Sequence, residues 1–209
     1  MTINTTEIIE DDLKKIKSNP KYSNLPQNYL FPKTVIKNAL LFVGINPSSA
    51  KDQLEYDSYN LEQENNKHPY FKKFEDIAHN CNINWTHLDL LYFRETHQNY
   101  IQEILSMENG VSFIWEQLMI SDKLIKKCEP KIIVVCNTQA RTFLGKDKNN
   151  DQNKWLDYNF DFNDNLGTYL WNNIPVFFSG MLSGQRALDI GSFERLKWHI
   201  KKVKSQLEI

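Results

Sequence analysis

The chain has 209 residues, of which 41% are hydrophobic, so it can bury one sizeable core without a second domain. Its 25 Lys and Arg residues are balanced by 26 Asp and Glu residues, so any contact with nucleic acid must come from a local basic patch. The three cysteines are far apart and lack Cys-x-x-Cys spacing, which argues against zinc or iron–sulfur sites. Because neither a leader-like segment nor an apolar run of ~20 residues is present, we expect a soluble, cytoplasmic protein that binds no membrane.

The first half of the chain alternates predicted helices and strands. Residues 1–38 are predicted to form a helical cap, with a helix over residues 6–17 that has apolar side chains near one face. The first core strand, residues 39–44, is continuously apolar, as is typical of a parallel strand covered on both faces. A helix over residues 69–80 and a strand over residues 87–92 follow.

The second half continues this alternation. Two helices are predicted within residues 100–127, separated near Gly110, and a second continuously apolar strand is predicted at residues 131–136. A strand over residues 175–179 precedes a last helix, for which Ser192 is the predicted N-cap. The last helix also carries a candidate basic patch, which we interpret as a solvated helix face. Its members are Arg195, Lys197, Lys201, Lys202 and Lys204.

The order of elements predicts a three-layer α/β/α protein with a central four-stranded, mainly parallel sheet. We expect residues 1–209 to form one domain, since no repeat or linker divides them. Residues 153–173 do not fit the alternation and predict an inserted aromatic hairpin, because Tyr158, Phe160 and Phe162 alternate with polar residues. We expect these aromatic side chains in the core rather than on a ligand-binding surface.

Ligands of parallel sheets bind at the carboxyl ends of the strands, so the loops that follow the strands are the candidate site. In the first of them, Gly44 allows a close approach to a ligand, and Asn46 offers a carboxamide that can accept from and donate to a water. An ordinary Asn-Pro-Ser-Ser turn is the alternative interpretation. The loop residues that we expect at the ligand are Gly44, Ile45, Asn46, Pro47 and Ser48.

Residues 44–47, Gly-Ile-Asn-Pro, are similar to the first motif of the mismatch-specific uracil/thymine glycosylases, a branch of the uracil-DNA glycosylase superfamily. Residues 68–74 look like the His-Pro segment of that branch. Residues 129–145 are similar to the third strand and helix of the iron–sulfur branch of the same superfamily. These segments agree with the superfamily in order and approximate spacing from residue 39 onward, so the resemblance implies a uracil-DNA glycosylase-like fold.

The resemblance implies a monofunctional DNA-repair enzyme that hydrolyses the bond between deoxyribose and a damaged or mismatched base, uracil or a related deaminated base, flipped out of DNA. It implies that Asn46 orients the attacking water; asparagine takes no proton at neutral pH, so it is not a general base. It implies no metal or cofactor, because the four cluster cysteines of the iron–sulfur branch are absent. We expect a monomer whose partner is single- or double-stranded DNA.

An aromatic residue downstream of the first motif stacks on the flipped base in the superfamily. Tyr56, Tyr59 and Tyr70 are the candidates here, and the sequence does not choose among them. In the second loop, Asp89 falls where the iron–sulfur branch has an asparagine that reads uracil. Because an ionised carboxylate only accepts hydrogen bonds, Asp89 predicts a base with an exocyclic amine or a protonated ring nitrogen. The alternative is a buried acid paired with Arg94 or His87.

Two further loops complete the predicted edge. Asn137 is a candidate substrate contact, although a helix N-cap is the interpretation that we favour. The fourth loop lacks the histidine that most of the superfamily uses to stabilise charge on the leaving base. A Gly-rich turn is the plain alternative for this loop, and the resemblance suggests a wedge at Met181 or Leu182 and donors at Gln185 or Arg186. The predicted DNA-binding residues are Met181, Leu182, Ser183, Gly184, Gln185 and Arg186.

Two other functions are compatible with the sequence. One is a catalytically silent member of the superfamily that binds a nucleotide, DNA or a protein partner, which the missing histidine and the near-neutral charge favour. The other is an unrelated Rossmann-like enzyme that acts on a free nucleoside.

Overall fold

The computed structural model describes residues 1–48, 58–61, 69–97, 99–146, 155–184 and 187–209. Its centre is a mixed six-stranded sheet with helices against both faces, so the chain is an α/β protein. None of the helices in these ranges is long and apolar enough to cross a membrane.

The helices follow the predicted pattern closely. The break near Gly110 is confirmed: Asn109 has a left-handed backbone with a φ of +62°. Glycine is required next to it, because a Cβ on Gly110 would lie 1.7 Å from the carbonyl oxygen of Ile104. The predicted N-cap of the last helix is wrong, because Asp189 accepts the hydrogen bond of the Ser192 backbone N–H at 2.9 Å. The helices of the described residues are α1 (Thr6–Ser18), α2 (Pro69–Cys81), α3 (Asn99–Ser106), α4 (Gly110–Cys128), α5 (Thr138–Leu144) and α6 (Ile190–Gln206).

The strands include all four that the sequence predicted and several that it did not. The strand predicted at residues 87–92 is shifted towards the N-terminus, because its ladder ends where Asp89 faces Gly44. The strands are β1 (Thr2–Asn4), β2 (Phe31–Pro32), β3 (Thr34–Ile36), β4 (Leu40–Gly44), β5 (Ser58–Tyr59), β6 (Trp85–Asp89), β7 (Ile132–Val135), β8 (Asp161–Asn163), β9 (Thr168–Trp171) and β10 (Ile174–Phe178).

The central sheet has the order β6-β4-β7-β10-β9-β8. The pairings β6–β4, β4–β7 and β7–β10 are parallel, whereas β9 and β8 are added antiparallel. The predicted four-stranded sheet is therefore wrong in its number of strands. Asn172 and Asn173, both with positive φ, make a two-residue turn that joins β9 to β10 and extends the sheet.

The predicted aromatic hairpin contributes β8 and β9, the antiparallel edge of the sheet. Tyr158 and Trp171 are buried and stack at 4.2 Å between ring centroids, and Phe160 is also buried. Phe162, by contrast, is 54% exposed and lies on β8, the last strand of the sheet, so the expectation that it lies in the core is wrong.

The residues of the parallel strands alternate between two hydrophobic cores. On one face, Leu41, Val43 and Leu88 pack in the core that contains α1, α3, α4 and α5. On the other face, Leu40 and Phe42 pack with α2 and α6. Because both faces are covered, the continuously apolar strands are explained by burial on two sides.

The N-terminal segment is more than a helical cap. Besides α1, it supplies β1 and β3, which pair antiparallel, and β2, which pairs in parallel with β5. These strands are two or three residues long, so their apolar periodicity is too short to be recognised in the sequence.

Candidate functional site

The parallel strands end at one edge of the sheet, and their loops leave side by side. The backbone N–H of Cys136 donates to Val43, and that of Ser179 donates to Val135, so the loops after β4, β7 and β10 start at neighbouring positions. The loop after β6 begins opposite Gly44. The structure therefore brings together the starting points of all four predicted loops.

Gly44 and Asp89 are the closest pair at this edge. They face each other in the β4–β6 ladder, and a Cβ on Gly44 would lie 2.0 Å from Oδ1 of Asp89. The same Cβ would lie 3.2 Å from Nε2 of His87. The absence of a side chain at Gly44 thus makes room for the Asp89 carboxyl group.

The Asp89 carboxyl group is buried, and none of the described residues donates a hydrogen bond to it. The residue is 7% exposed, and within the described ranges no hydrogen bond to its side chain is found. Among the described residues, Nε2 of His87 lies 3.7 Å from Oδ1 of Asp89, and no ion pair between Asp89 and Arg94 is found. Burial alone raises the pKa of Asp89 to about 7, because the charged form is the one that desolvation penalises.

His87 is a functional candidate that the sequence analysis did not select. It is 2% exposed, and its Nδ1 lies 3.0 Å from the hydroxyl oxygen of Tyr59. Burial lowers the pKa of His87 to about 3, so the imidazole is neutral near pH 7 and its contact with Asp89 is not an ion pair. A signal was present in the sequence, since residues 87 and 89 of a strand point to the same face.

Asn46 is held by the loop after β6. Its Nδ2 donates to the carbonyl oxygen of Glu95 at 2.7 Å and to that of Pro47 at 3.1 Å. The carboxamide was expected both to accept from and to donate to a water, but its donor group is already used. Oδ1 remains as the acceptor, with no hydrogen bond from the described residues.

The remaining residues of the first loop have different surroundings. Ile45 is buried in the core on the α4 side, and its carbonyl oxygen accepts from Leu91. Pro47 is also buried, and its carbonyl oxygen accepts from Glu95 as well as from Asn46. Ser48 is exposed. Ser48 is thus the member of this loop with an open side chain, and Ile45 and Pro47 fix the backbone.

Of the three tyrosines considered for base stacking, two lie near His87 and Asp89. Tyr59 contacts His87, and the ring centroid of Tyr70 is 5.7 Å from that of His87. Burial raises the pKa of Tyr70 well above its ordinary value, and the Asp89 charge adds to this effect. Tyr56 lies outside the described residues, so the stacking residue stays a prediction.

In the loops after β7 and β10, the structure assigns Asn137 and Leu182 structural positions. The Asn137 carboxamide oxygen accepts from the backbone N–H groups of Gln139 and Ala140, at 2.7 and 3.3 Å, so Asn137 is the N-cap of α5. Leu182 is 3% exposed and packs in the core beside α2 and α6, which makes it a core residue rather than a wedge.

Met181 and Ser183 are half-buried, and Gly184 is exposed with a φ of +85°. Met181 pairs with Ala187 in an isolated bridge, which closes the loop on itself. Gln185 and Arg186, predicted as donors to a base or a phosphate, lie outside the described residues.

Two cavities are lined by described residues, and Asp89 is not among those lining residues. A cavity of about 540 Å³ lies beside the candidate edge, where Asn137, Gln139, Trp155 and Met181 contribute to its wall. A larger cavity, of about 600 Å³, includes Trp85 and therefore lies at the opposite end of β6. The smaller cavity is the one that a ligand at the candidate edge could enter.

The predicted basic patch on α6 is interrupted by acids. Lys197 lies 2.9 Å from Glu194 and 3.5 Å from Asp76, whereas Arg195, Lys201 and Lys202 are exposed. Within the described part of the chain, no cluster of three or more His, Cys, Asp or Glu side chains is arranged to hold a metal ion.

Comparisons of the chain with protein-family models, with curated proteins and with solved structures found no match. The function must therefore be argued from the chemistry of the edge itself.

Proposed function

We propose that the protein is a monofunctional DNA base glycosylase, which hydrolyses the bond between deoxyribose and a flipped-out damaged or mismatched base, uracil or a related deaminated base. The observation that carries the proposal is the placement of the Asn46 loop beside the buried, uncompensated Asp89 carboxyl group, with Gly44 between them. The uracil-DNA glycosylase-like topology of the four parallel strands belongs to this proposal.

Asn46 has the role of orienting the attacking water. Because Nδ2 is fixed by the carbonyl oxygens of Pro47 and Glu95, the plane of the carboxamide is set before any ligand arrives. Oδ1 then accepts a hydrogen bond from the water, so that a lone pair of the water oxygen points at the sugar carbon. As the new C–O bond forms, the C–N bond breaks and the base leaves as an anion. Asn46 takes no proton, so the proton that the water loses passes through solvent to the departed base.

Asp89 has the role of contacting the base. A buried carboxyl group that lacks hydrogen-bond partners is unfavourable in the free protein, and the edge of a base supplies the missing partners. In its neutral form, Asp89 donates a hydrogen bond to a carbonyl oxygen of the base, where negative charge develops as the bond breaks. This role partly replaces the histidine that the fourth loop lacks.

A second candidate function is binding without base release. It is favoured by the same fourth loop, in which Leu182 is buried in the core and the described residues 179–184 include no histidine. The formal net charge of −1 also gives little bulk attraction to DNA. In this case Asp89 would recognise a nucleotide that remains intact.

The test is a panel of labelled oligonucleotides that carry uracil, hypoxanthine, xanthine or a G·T mismatch, each single- and double-stranded, with abasic sites revealed by alkali. Wild type and Asn46→Ala are compared with Asn24→Ala, a control at an exposed position without positive φ. Base release that Asn46→Ala abolishes and Asn24→Ala retains supports the proposal. Binding without release favours the second function, and cleavage of free nucleosides alone would contradict both.

A further inference from the structure

We propose that His87 and Asp89 form a proton-coupled pair that presents the ligand either with a hydrogen-bond donor and an acceptor or with acceptors alone, so that the preferred base changes with pH. The identity of the ligand as a base rests on the proposed function. In this proposal Asp89 determines specificity, and His87 is a positioning residue.

The His87 side chain is held by aromatic rings and by a hydrogen bond at Nδ1. Its ring stacks on Phe74 with centroids 5.4 Å apart and meets the edges of Phe71 and Tyr70 at 5.5 and 5.7 Å. Nδ1 is paired with the Tyr59 hydroxyl group. Nε2 is buried and has no hydrogen-bond partner within the described ranges, and Oδ1 of Asp89 is 3.7 Å away.

The distance between Nε2 and Oδ1 is longer than a hydrogen bond, but it closes with a movement of less than about 1 Å. A neutral imidazole carries its proton on one nitrogen only. When Asp89 is ionised, a proton on Nε2 faces the carboxylate and the Tyr59 hydroxyl group donates to Nδ1. When Asp89 carries a proton and no ligand is bound, the lone pair of Nε2 can face that proton, and Nδ1 then donates to the hydroxyl oxygen of Tyr59. When a base is bound, the proton lies on Oδ2 and donates to the base, and a proton on Nε2 again faces Oδ1. The hydroxyl group rotates to suit either arrangement.

Among the described residues, the other groups that interact with the Asp89 charge do not titrate near neutral pH. Tyr70 on α2, Tyr92 after β6 and Cys136 after β7 each interact with the Asp89 charge, and burial raises the pKa of all three above their ordinary values. His87 is neutral there because burial lowers its pKa to about 3. Asp89, with a pKa of about 7, is thus the member of this cluster that changes charge near pH 7.

The two forms of Asp89 match different bases. A neutral carboxyl group donates to a carbonyl oxygen and accepts from the neighbouring N–H, which is the pattern of the O4 and N3 edge of uracil. An ionised carboxylate accepts from two neighbouring N–H groups, as in a base with an exocyclic amine beside a ring N–H. Since the neutral fraction falls about tenfold between pH 6 and pH 8, the affinity for uracil falls by about the same factor.

The pair is tested without turnover by ¹⁵N NMR of the histidine side chains in the ligand-free protein between pH 5 and pH 9. We expect the His87 ring nitrogens to shift with a midpoint near pH 7 while the ring remains neutral, and Asp89→Asn to abolish this shift. Tyr59→Phe removes the partner of Nδ1 and changes the tautomer ratio. His199, whose Nε2 contacts the carbonyl oxygen of Leu166, is the internal control. The proposed proton coupling is overturned if the His87 chemical shifts do not change with pH, or if they change equally in wild type and Asp89→Asn.

The specificity is tested by titrating free uracil into wild type and Asp89→Asn. Binding is measured from the NMR chemical shifts of the backbone amides at residues 44–46 and 89–91. The expected result is an affinity that falls about tenfold from pH 6 to pH 8 in wild type and is constant in Asp89→Asn. Equal pH dependence in both proteins overturns the inference. If the His87 shifts behave as expected but uracil binds to neither protein, the proposed function fails at the ligand and the specificity claim falls with it, while the proton coupling stands.

Discussion

At the scale of single residues, the candidate site depends on how closely β4 and β6 approach each other at their carboxyl ends. Gly44 leaves the space that the Asp89 carboxyl group occupies, and His87 lies behind that group. The glycine of the Gly-Ile-Asn-Pro motif therefore has a steric role in this chain. It is needed for the acid opposite it on the neighbouring strand as much as for the turn that it begins.

We predict that Gly44→Ala destabilises the protein by about 1–3 kcal/mol, because its Cβ would overlap Oδ1 of Asp89. Asp89→Ser removes the overlapping atom, so the double variant should recover much of this loss. Urea unfolding of the four proteins gives the coupling energy. Gly191→Ala, where the nearest atom is 3.3 Å from the new Cβ, is the control and should change stability little. Additive effects of the two substitutions on the unfolding free energy would contradict the close approach of Gly44 and the Asp89 carboxyl group.

We predict that Asn46→Asp lowers the stability by about 1–3 kcal/mol at pH 8, because a carboxylate oxygen would then face the carbonyl oxygens of Pro47 and Glu95. Asn173→Asp, in the exposed turn after β9, should change stability by less than about 0.5 kcal/mol. The measurement is chemical unfolding of both variants. Equal stability of Asn46→Asp and wild type would mean that Nδ2 does not hold the loop.

Asp89 and His87 make the free energy of unfolding depend on pH in opposite directions. In the unfolded chain Asp89 ionises near 3.8, whereas folding raises its pKa to about 7, so its contribution to stability decreases as pH rises from about 4 to 7. For His87 the unfolded value is 6.5 and folding lowers the pKa to about 3, so its contribution increases as pH rises from about 3 to 6.5. The two contributions largely cancel in wild type between pH 4 and pH 6.5.

We therefore predict that Asp89→Asn gains stability relative to wild type as pH rises from 4 to 7, by roughly 4 kcal/mol over that range. His87→Gln should gain stability relative to wild type as pH falls through 6.5. Urea unfolding of the three proteins at several pH values gives these differences. Parallel curves for wild type and Asp89→Asn would show that Asp89 ionises normally in the folded protein.

At the scale of secondary-structure elements, the order of helices and strands could be predicted because most of them bury long apolar faces. Two apolar runs marked the strands that are covered on both faces, and the glycine at residue 110 marked the break between two helices. The strands β1, β2, β3 and β5 are too short for such signals. The place of β8 and β9 in the sheet also could not be read, because a hairpin pattern does not reveal which strand it pairs with.

Asn137 lies at the candidate edge of the sheet and is also the N-cap of α5. We predict that Asn137→Ala costs about 1–2 kcal/mol of stability, because α5 loses the side-chain acceptor for two backbone N–H groups, whereas Asn137→Asp retains an acceptor and costs less. Thermal or chemical unfolding gives both values. A base contact through the Asn137 amide nitrogen would instead appear as lost base release in Asn137→Asp at unchanged stability.

At the scale of the whole molecule, the sheet separates two cores and leaves one edge where the loops of four parallel strands start together. The sequence could predict which loops meet there, since parallel strands end at the same edge. It could not predict the chemistry of Asp89, because the pKa of a carboxyl group depends on burial by residues distant in sequence, such as Tyr70 on α2. Burial changed a presumed acceptor into a group that can also donate.

The central claim is that the edge formed by Asn46 and Asp89 breaks a glycosidic bond, and the most direct measurement is the single-turnover rate of base release under saturating protein. For the best oligonucleotide of the panel, we predict that Asn46→Ala lowers this rate at least about 100-fold while affinity remains near wild type. The loss of the two Nδ2 hydrogen bonds lowers the unfolding free energy by about 1–2 kcal/mol, so the rate is compared at a temperature where both proteins are folded. A rate equal to that of wild type in a folded Asn46→Ala protein, or no release by wild type from any substrate, would contradict the claim.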